Sequence, residues 1–293
     1  MSGRAKVLVV AGPTGAGKTA AALTLAEAFD AIVVSADAMQ VYRGFDVGTA
    51  KATRDERARV EHRCIDVVGP DEAFDAADFV RHVDEAVATG RRVMLVGGTS
   101  LYLRSAVRGL VDTPAVDPAL RAQLEALPDP HRVLQGVDPA LAARLHPNDR
   151  VRVVRGLEVF YAAGVRLSDL QGDHASVPDR LDARGVWLDH DDLRPRLWAR
   201  LEQMVARGYV EEVRSLLAAG VSREARPMRS LGYRHLADHV LDGLPLEEAM
   251  RRTERDTWSF ARKQRNWMRA LGWRRVSGAE GAVAARALVE RWW

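Results

Sequence analysis

The sequence predicts an α/β fold in which a parallel sheet is flanked by helices, as in P-loop nucleoside triphosphatases. Short valine-rich runs alternate with helical patterns in the N-terminal third of the chain. A glycine-rich turn that ends in a lysine follows the first of these runs. Between about residues 113 and 178 only helical patterns occur, which predicts a helical insertion.

The apolar runs predict the order of the strands. Residues 6–11, 31–35 and 92–96 have the pattern of buried strands, and residues 63–68 are a shorter candidate. Further short strands are predicted at residues 185–188 and 273–276. Helices are predicted at residues 19–29 and 75–90, and after the capping-box pattern Thr53-Arg-Asp-Glu56. This alternation favours parallel pairing of the strands.

The chain is expected to divide into three segments. Residues 1–112 form the first part of the P-loop core, and residues 113–180 form the helical insertion. Residues 181–293 complete the core and add a basic helical C-terminal region. A chain of 293 residues has room for one large domain with such an insertion.

Composition excludes several classes of protein. Hydrophobic residues make up 47% and charged residues 28%, which is typical of a globular protein. No apolar run is long enough to cross a bilayer, and the chain does not open with a signal-peptide pattern. Cys64 is the only cysteine, which excludes an internal disulfide and a multi-cysteine zinc site. We expect a cytoplasmic protein without membrane association or an obligate protein partner, acting as a monomer.

Positive charge is concentrated near the C-terminus. Between Arg251 and Arg275 there are nine arginines or lysines and only two acids. Four aromatic residues are interleaved with them, which favours a polyanion that carries stackable bases. A solvated basic helix face would show the same composition, so composition alone leaves both interpretations open. The aromatic residues are Trp258, Phe260, Trp267 and Trp273.

A phosphate-binding loop is predicted after the first strand. Gly12-Pro-Thr-Gly-Ala-Gly-Lys-Thr19 matches G-x-x-x-x-G-K-[ST] and lies between a strand and a helix. Its backbone amides and the helix N-terminus create an anion site. Lys18 would contact the outer phosphate, and the Thr19 hydroxyl would bind Mg²⁺. The residues predicted to bind the phosphates are Gly12, Pro13, Thr14, Gly15, Ala16, Gly17, Lys18 and Thr19.

Two further positions lie at the predicted carboxyl edge of the sheet, where open α/β sheets bind ligands. Asp37 follows the second strand and could orient a nucleophile, hold Mg²⁺ or simply cap a turn. The strand at 92–96 ends in Gly97-Gly98-Thr99 instead of the acid of an ATP-hydrolysing enzyme, which argues against ATP hydrolysis. Thr99 could cap the next helix or donate a hydrogen bond into the cleft.

The motifs together resemble tRNA dimethylallyltransferases of the bacterial type. Asp37-Ala-Met-Gln40, Val96-Gly-Gly-Thr-Ser-Leu-Tyr102 and Arg262-Lys-Gln-Arg-Asn-Trp267 carry the resemblance beside the phosphate loop. The other matching segments are residues 41–51, 62–66, 74–79, 146–149, 152–158 and 229–234. Position 38 is Ala where many members carry Ser. The likeness covers nearly the whole chain, and an ordered set of motifs is far more specific than the phosphate loop alone.

The resemblance implies a reaction and a set of roles. The substrates would be dimethylallyl diphosphate, as prenyl donor, and the anticodon stem-loop of a tRNA. The product would carry N6-isopentenyladenosine 3′ of the anticodon. Lys18, Thr19 and Mg²⁺ would stabilise the departing diphosphate, and Asp37 would accept the proton of the attacking amine. Thr99 would contact the reacting groups or the tRNA, and Arg200 would lie near the diphosphate.

The resemblance also implies a set of tRNA contacts. Gln40 would help to hold the adenine, which must leave its stack before it can react. The full set of predicted tRNA contacts is Asp37, Ala38, Met39, Gln40, Thr99, Arg121, Val151, Arg152, Val153, Val154, Arg155, Arg229, Ser230, Leu231, Gly232, Tyr233, Arg234, Arg262, Lys263, Arg265, Trp267 and Arg269. On a helix, Arg262, Arg265 and Arg269 would share one side.

Three other functions remain compatible with parts of the sequence. An adenylate isopentenyltransferase, which prenylates free AMP or ADP, would not require the basic aromatic C-terminal helix. A P-loop small-molecule kinase is supported by the fold and the phosphate loop alone. An RNA-binding module with a merely structural loop would not need Lys18, Thr19 and Asp37 in one cleft.

Overall fold

The structure, a computed structural model, describes residues 3–115 and 117–293, except for the side chain of residue 279. Residues 1 and 2, where the predicted core begins, and residue 116 in the predicted insertion lie outside these ranges. The described chain contains one sheet of parallel strands in the order β3-β2-β4-β1-β5-β6. This confirms the predicted α/β class. The strands are β1 (Lys6–Ala11), β2 (Ala31–Ala36), β3 (His62–Arg63), β4 (Arg92–Gly97), β5 (Asp182–Asp189) and β6 (Arg274–Ser277).

Helices connect the strands and make up most of the remaining chain. The N-terminal half contains α1 (Lys18–Phe29), α2 (Arg54–Arg59), α3 (Ala76–Ala88), α4 (Ser100–Arg108), α5 (Pro118–Glu125), α6 (Pro130–Val137), α7 (Pro139–Ala142), α8 (Arg150–Ala163) and α9 (Leu167–Ala175). After β5 follow α10 (Leu193–Ala206), α11 (Tyr209–Ala218), α12 (Tyr233–Asp242), α13 (Leu246–Ala270), a 3-10 turn (Gly278–Glu280) and α14 (Gly281–Val289). No helix of the described ranges is long and apolar enough to cross a membrane.

The sheet is buried on both faces because its strands are apolar without interruption. In β1, Val7 and Val9 point into the core on one face, while Leu8 and Val10 point into the core on the other. Successive strand residues point to opposite faces, so a continuous apolar run fits a sheet covered on both sides. Helices α1 and α14 contribute to the second core.

Two compact units make up the described chain. The first joins the described residues up to Gly109 with Arg180–Trp293 and contains the sheet. The second, Leu110–Asp179, contains α5 to α9 around its own apolar core. Val153, Val154 and Leu157 of α8 lie at the centre of that core and are at most 1% exposed.

The predicted third strand is shorter than expected. Only His62–Arg63 pairs with β2, whereas the sequence predicted a strand through residue 68. Cys64 and Asp66 adopt left-handed backbone angles, with φ of 58° and 57°, which an extended strand cannot contain. The chain instead turns back so that the Asp66 carboxylate reaches the Lys51 ammonium at 2.6 Å.

A buried ion pair attaches α13 to the sheet. Nε of Arg265 donates to the Asp189 carboxylate at the end of β5 over 2.8 Å, and Nη2 donates to the carbonyl of His190. The Asp189 side chain is 3% exposed and that of Arg265 is 16% exposed. This corrects the expectation that Arg265 binds RNA phosphates. Helical spacing gave its side of the helix, but not the partner that holds its guanidinium inside the protein.

Replacement of Arg265 by Met should therefore destabilise the fold. We expect the free energy of unfolding to fall by about 3 kcal/mol, at the low end for breaking a buried pair, because Arg275 still contacts Asp189 at 3.1 Å. Arg262→Met on the same helix changes an exposed side chain and should shift stability by less than about 0.5 kcal/mol. Urea titrations of both variants measure the difference. Equal stability of the two variants would contradict a structural role for Arg265.

Candidate active site

The phosphate loop connects β1 to α1 in the predicted position. Gly17 has φ of 82° and is the residue that caps α1, a left-handed conformation that glycine adopts without a steric penalty. No side chain caps the N-terminus of α1. The first amides of the helix therefore remain available to an anion, and the helix dipole adds partial positive charge there.

Two cations and one carboxylate meet beside this loop. The pKa of Lys18 is lowered to about 8, chiefly by burial and also by nearby Arg200, while Asp37 acts in the opposite direction. Burial also lowers the pKa of Arg200, against the effect of Asp37. The Lys18 ammonium donates only to the carbonyl of Pro13, at 2.8 Å. Two partly buried cations beside one carboxylate leave an excess of positive charge that a bound anion would offset.

Asp37 ends β2 and caps the turn that follows. Its Oδ1 accepts from the amides of Met39 at 2.9 Å and Gln40 at 3.4 Å. Within the described chain, Oδ2 accepts no hydrogen bond and remains available to a substrate. The turn-cap interpretation therefore accounts for one oxygen of this carboxylate and leaves the other free for chemistry.

Thr99 supports the Asp37 turn instead of capping α4. No side chain caps α4, and Oγ1 of Thr99 accepts from the amide of Ala38 at 3.1 Å. The Thr99 amide donates to the carbonyl of Ala36 at 3.0 Å. Both contacts fix the end of β4 against the end of β2. The hydroxyl proton of Thr99 is left to donate towards a ligand.

Hydrogen bonds within the protein hold the loop that follows Asp37. Gln40 accepts from the Ser35 hydroxyl at 2.8 Å and donates to the carbonyl of Thr49 at 3.1 Å. Its amide therefore shapes the loop, and its predicted contact with the adenine stays a prediction. Lys51 is buried and donates to the Tyr42 carbonyl at 2.6 Å and to the Asp46 carboxylate at 2.7 Å, in addition to Asp66.

Sequence reasoning missed Glu212, which holds the same loop from α11. Its carboxylate accepts from the amides of Asp46 at 2.9 Å, Val47 at 2.6 Å and Gly48 at 3.2 Å. The hydroxyl of Tyr233 donates to it at 2.6 Å. Nothing in the local sequence distinguishes Glu212 from an acid on the solvent-exposed face of a helix, so this role could not be predicted. Tyr233 itself is 1% exposed although it lines the cleft described below, so its predicted contact with RNA stays a prediction.

Gln264 is the second residue that the sequence reasoning missed. It is buried on α13, and its Oε1 accepts from the amide of Thr14 in the phosphate loop at 3.0 Å. Its Nε2 donates to the carbonyl of Gly98 at 3.0 Å. The only available signal was an amide within the basic motif of residues 262–267.

A cleft of about 1870 Å³ opens at the carboxyl edge of the sheet and gathers most of the predicted residues of this unit. Trp267, which is 46% exposed, lies in its wall together with Lys263. Phe260 also lines it, whereas Trp258 packs against Leu193 and Leu197. The predicted residues that line the cleft are 14–19, 37–40, 99, 200, 229–231, 233, 263 and 267.

Other predicted RNA contacts are engaged within the protein. In the helical unit, Arg121 and Arg155 pair with the buried Glu158 at 3.0 and 3.1 Å. Val153 and Val154 are core residues, so their side chains cannot meet a ligand. Val151 and Arg152 are exposed, with Arg152 3.3 Å from Asp149. These positions correct the expectation that residues 151–155 form one contact surface.

The segment 229–234 is also divided between surface and interior. Arg229 is exposed at the cleft, while the Ser230 hydroxyl donates to the carbonyl of Pro227 at 2.6 Å. Gly232 is buried against the Tyr209 hydroxyl, and Arg234 pairs with Asp256. Arg229 is therefore the member of this segment most accessible to a polyanion.

The donors at the cleft fit Mg²⁺ only when a phosphate ligand accompanies it. The described residues contain no cluster of three acids, histidines or cysteines that could hold a metal ion. Asp189, the acid at the end of the strand beside β1, is neutralised by Arg265 and Arg275. The Thr19 hydroxyl and Oδ2 of Asp37 remain. Mg²⁺ commonly takes one or two protein oxygens together with substrate phosphates and water.

Comparisons with known proteins identify the family of this chain. The sequence model of the IPP transferase family matches residues 40–271. The chain is 45% identical to the tRNA dimethylallyltransferase of Geobacter metallireducens over 278 residues, which cover 91% of this chain and 90% of that protein. It is 42% identical to the tRNA dimethylallyltransferase of Geobacter sulfurreducens, over 92% of both chains.

Solved structures give the same result for the fold. The full-length tRNA isopentenylpyrophosphate transferase of Bacillus halodurans superposes with a TM-score of 0.70 at 30% identity, covering 97% of this chain and 96% of that one. A eukaryotic dimethylallyltransferase acting on tRNA shares the fold, with a TM-score of 0.83 at 24% identity over 97% of this chain and 78% of that one. Because the family match covers most of the sequence and close relatives cover nearly all of it, the chain belongs to the IPP transferase family.

Proposed function

We propose that the protein transfers the dimethylallyl group of dimethylallyl diphosphate to the N6 amine of the adenosine 3′ of the anticodon in tRNA. The observation that carries this proposal is the grouping of Lys18, Arg200 and Asp37 at one end of a cleft whose wall also contains Lys263 and Trp267. A diphosphate fits the two cations. A nucleic acid base fits an aromatic and basic wall.

The proposed chemistry needs a stabilised leaving group. A bond forms between N6 of the adenine and C1 of the prenyl group, while the bond from C1 to the diphosphate oxygen breaks. The diphosphate leaves with the bonding electrons, and its charge is held by the phosphate-loop amides, Lys18 and Arg200. Mg²⁺, bound through the diphosphate and the Thr19 hydroxyl, would supply further charge neutralisation.

Asp37 would act on the acceptor side of the reaction. Its free Oδ2 accepts a hydrogen bond from the N6 amine and then its proton. The exocyclic amine of adenine is a poor nucleophile, so its orientation matters more than the basicity of the carboxylate. Thr99, which holds the Asp37 turn, has a hydroxyl proton to donate to the reacting groups.

The tRNA would be held by the exposed residues of α13 and by Arg229. Arg262, Lys263, Trp267 and Arg269 are exposed, and they combine phosphate-binding charge with a ring on which a base can stack. The adenine must leave its stack to reach Asp37. We expect the enzyme to act as a monomer in the cytoplasm.

The direct test is incubation with unmodified tRNA, radiolabelled dimethylallyl diphosphate and Mg²⁺, followed by nucleoside analysis. We expect labelled N6-isopentenyladenosine in the tRNA, and added ATP should not change the yield, because β4 ends in glycines and Asp189 is neutralised. AMP should be a poor acceptor. Equal labelling of free AMP would favour the adenylate isopentenyltransferase, and a strict ATP requirement would favour the kinase.

Substitution of Asp37 tests the proton acceptor. Asp37→Asn keeps an oxygen for the amide of Met39 but removes the charge, so the turn should persist. We expect the single-turnover rate to fall by roughly a hundredfold while the Kd for tRNA stays within about threefold. Asp71→Asn, an exposed acid outside the cleft, is the matched control. A normal rate in Asp37→Asn would mean that Asp37 only positions the loop.

The salt dependence of tRNA binding tests the α13 surface. The double variant Arg262→Ala/Arg269→Ala should weaken binding and reduce the slope of log affinity against log salt by about 0.7 to 0.9 for each RNA phosphate that the protein no longer neutralises. The control, Arg214→Ala/Arg286→Ala, removes the same charge from exposed positions on α11 and α14, away from α13. Filter binding at several salt concentrations compares the two. Identical slopes would argue that α13 presents only a solvated basic face.

A further inference from the structure

Gln264 forms hydrogen bonds to two segments, the phosphate loop and the end of β4, whose relative position matters for the reaction. Its amide oxygen accepts from Thr14 of the phosphate loop, and its amide nitrogen donates to the carbonyl of Gly98 at the end of β4, both over 3.0 Å. The side chain is 7% exposed. Its buried neighbours on the helix, Ala261 and Met268, are apolar, so a polar side chain here is not required by packing alone.

The contact at Gly98 depends on the absence of a side chain there. A Cβ at position 98 would lie 2.3 Å from Nε2 of Gln264, closer than non-bonded atoms approach. Gly98 is followed by Thr99, whose hydroxyl accepts from the amide of Ala38, next to Asp37. Direct contacts therefore run from the phosphate loop through Gln264 to the turn that carries Asp37.

We propose that Gln264 is a positioning residue that sets the distance between the diphosphate-binding loop and the Asp37–Thr99 turn. In this role it would act through the loop and the turn and not on the reacting atoms themselves. It takes up the amide of Thr14 in the phosphate loop. This inference rests on the proposed prenyl transfer, in which donor and acceptor must meet at bonding distance, and a misplacement of about 1 Å can cost roughly a hundredfold in rate.

The test compares two buried polar residues of α13. Gln264→Met keeps the length of the side chain and removes both hydrogen bonds. Thr253→Val is the matched control, because Thr253 is buried and donates only to the carbonyl of Ala249 in its own helix, at 2.8 Å. Thermal unfolding, single-turnover prenylation at saturating substrates, the Kd for tRNA and the Kd for inorganic diphosphate are measured for both variants.

We expect Gln264→Met to remain folded and to lose roughly a hundredfold in single-turnover rate, with the Kd for tRNA unchanged within about threefold. The affinity for inorganic diphosphate should fall about five- to tenfold, since the loop loses one fixed hydrogen bond. Thr253→Val should lose stability at most. A rate for Gln264→Met within threefold of the wild type would overturn the proposal, as would a loss explained by weaker tRNA binding.

Two further comparisons distinguish a failure of this inference from a failure to fold or a failure of the proposed function. If Gln264→Met does not fold, Gln264→Glu takes its place, because it retains the acceptor for Thr14 and loses only the donor to Gly98; a normal rate in that variant would count against the proposal. If the wild-type protein transfers no prenyl group, the proposed function fails. The binding of inorganic diphosphate still tests the part assigned to Gln264 in that case.

Discussion

The close approach of β4 to its neighbours is the constraint on which the rest of the site depends. A Cβ on Gly97 would lie 2.1 Å from the carbonyl oxygen of Ala36, so any other residue would force β2 and β4 apart. This packing lets the Thr99 amide reach the Ala36 carbonyl. The same close packing leaves no room at position 97 for the acidic side chain that ATP-hydrolysing enzymes carry at the end of this strand. The charges of the site must come from Lys18, Arg200 and Asp37 instead.

The two halves of the cleft are stabilised in different ways. On the donor side, two cations are partly buried without a matching anion, a costly arrangement in the free protein that favours a bound diphosphate. On the acceptor side, charged groups of the loop after Asp37 are paired, since Lys51 contacts both Asp46 and Asp66. Burial alone would raise the pKa of Asp66, but hydrogen bonds from Lys51 and Arg57 hold that pKa below its usual value. The donor side therefore favours a bound anion, while the loop on the acceptor side is held by ion pairs within the protein.

The sequence could predict the parts of the site that are formed by residues close together in the chain. The phosphate loop and Asp37 follow apolar strands, and a parallel sheet must bring the ends of those strands to one edge. The partners of Arg265 and Gln264, and the loop amides bound by Glu212, could not be predicted, because each lies between 75 and 250 residues away. The resemblance likewise implied that Val153 and Val154 belong to a contact segment, but their side chains fill the core of the helical unit.

The separation of Thr14 from Gln264 by 250 residues also has a consequence for how the protein is made. Contacts between distant segments form late in folding, because the entropy of closing the intervening chain must be overcome first. A ribosome adds about 5 to 20 residues each second, so the phosphate loop emerges well before its partner on α13. During that interval the nascent chain has a glycine-rich loop without its clamp. The hydrogen bond between Thr14 and Gln264 can form only after α13 has left the exit tunnel, so a partly synthesised chain has a phosphate loop that lacks this contact.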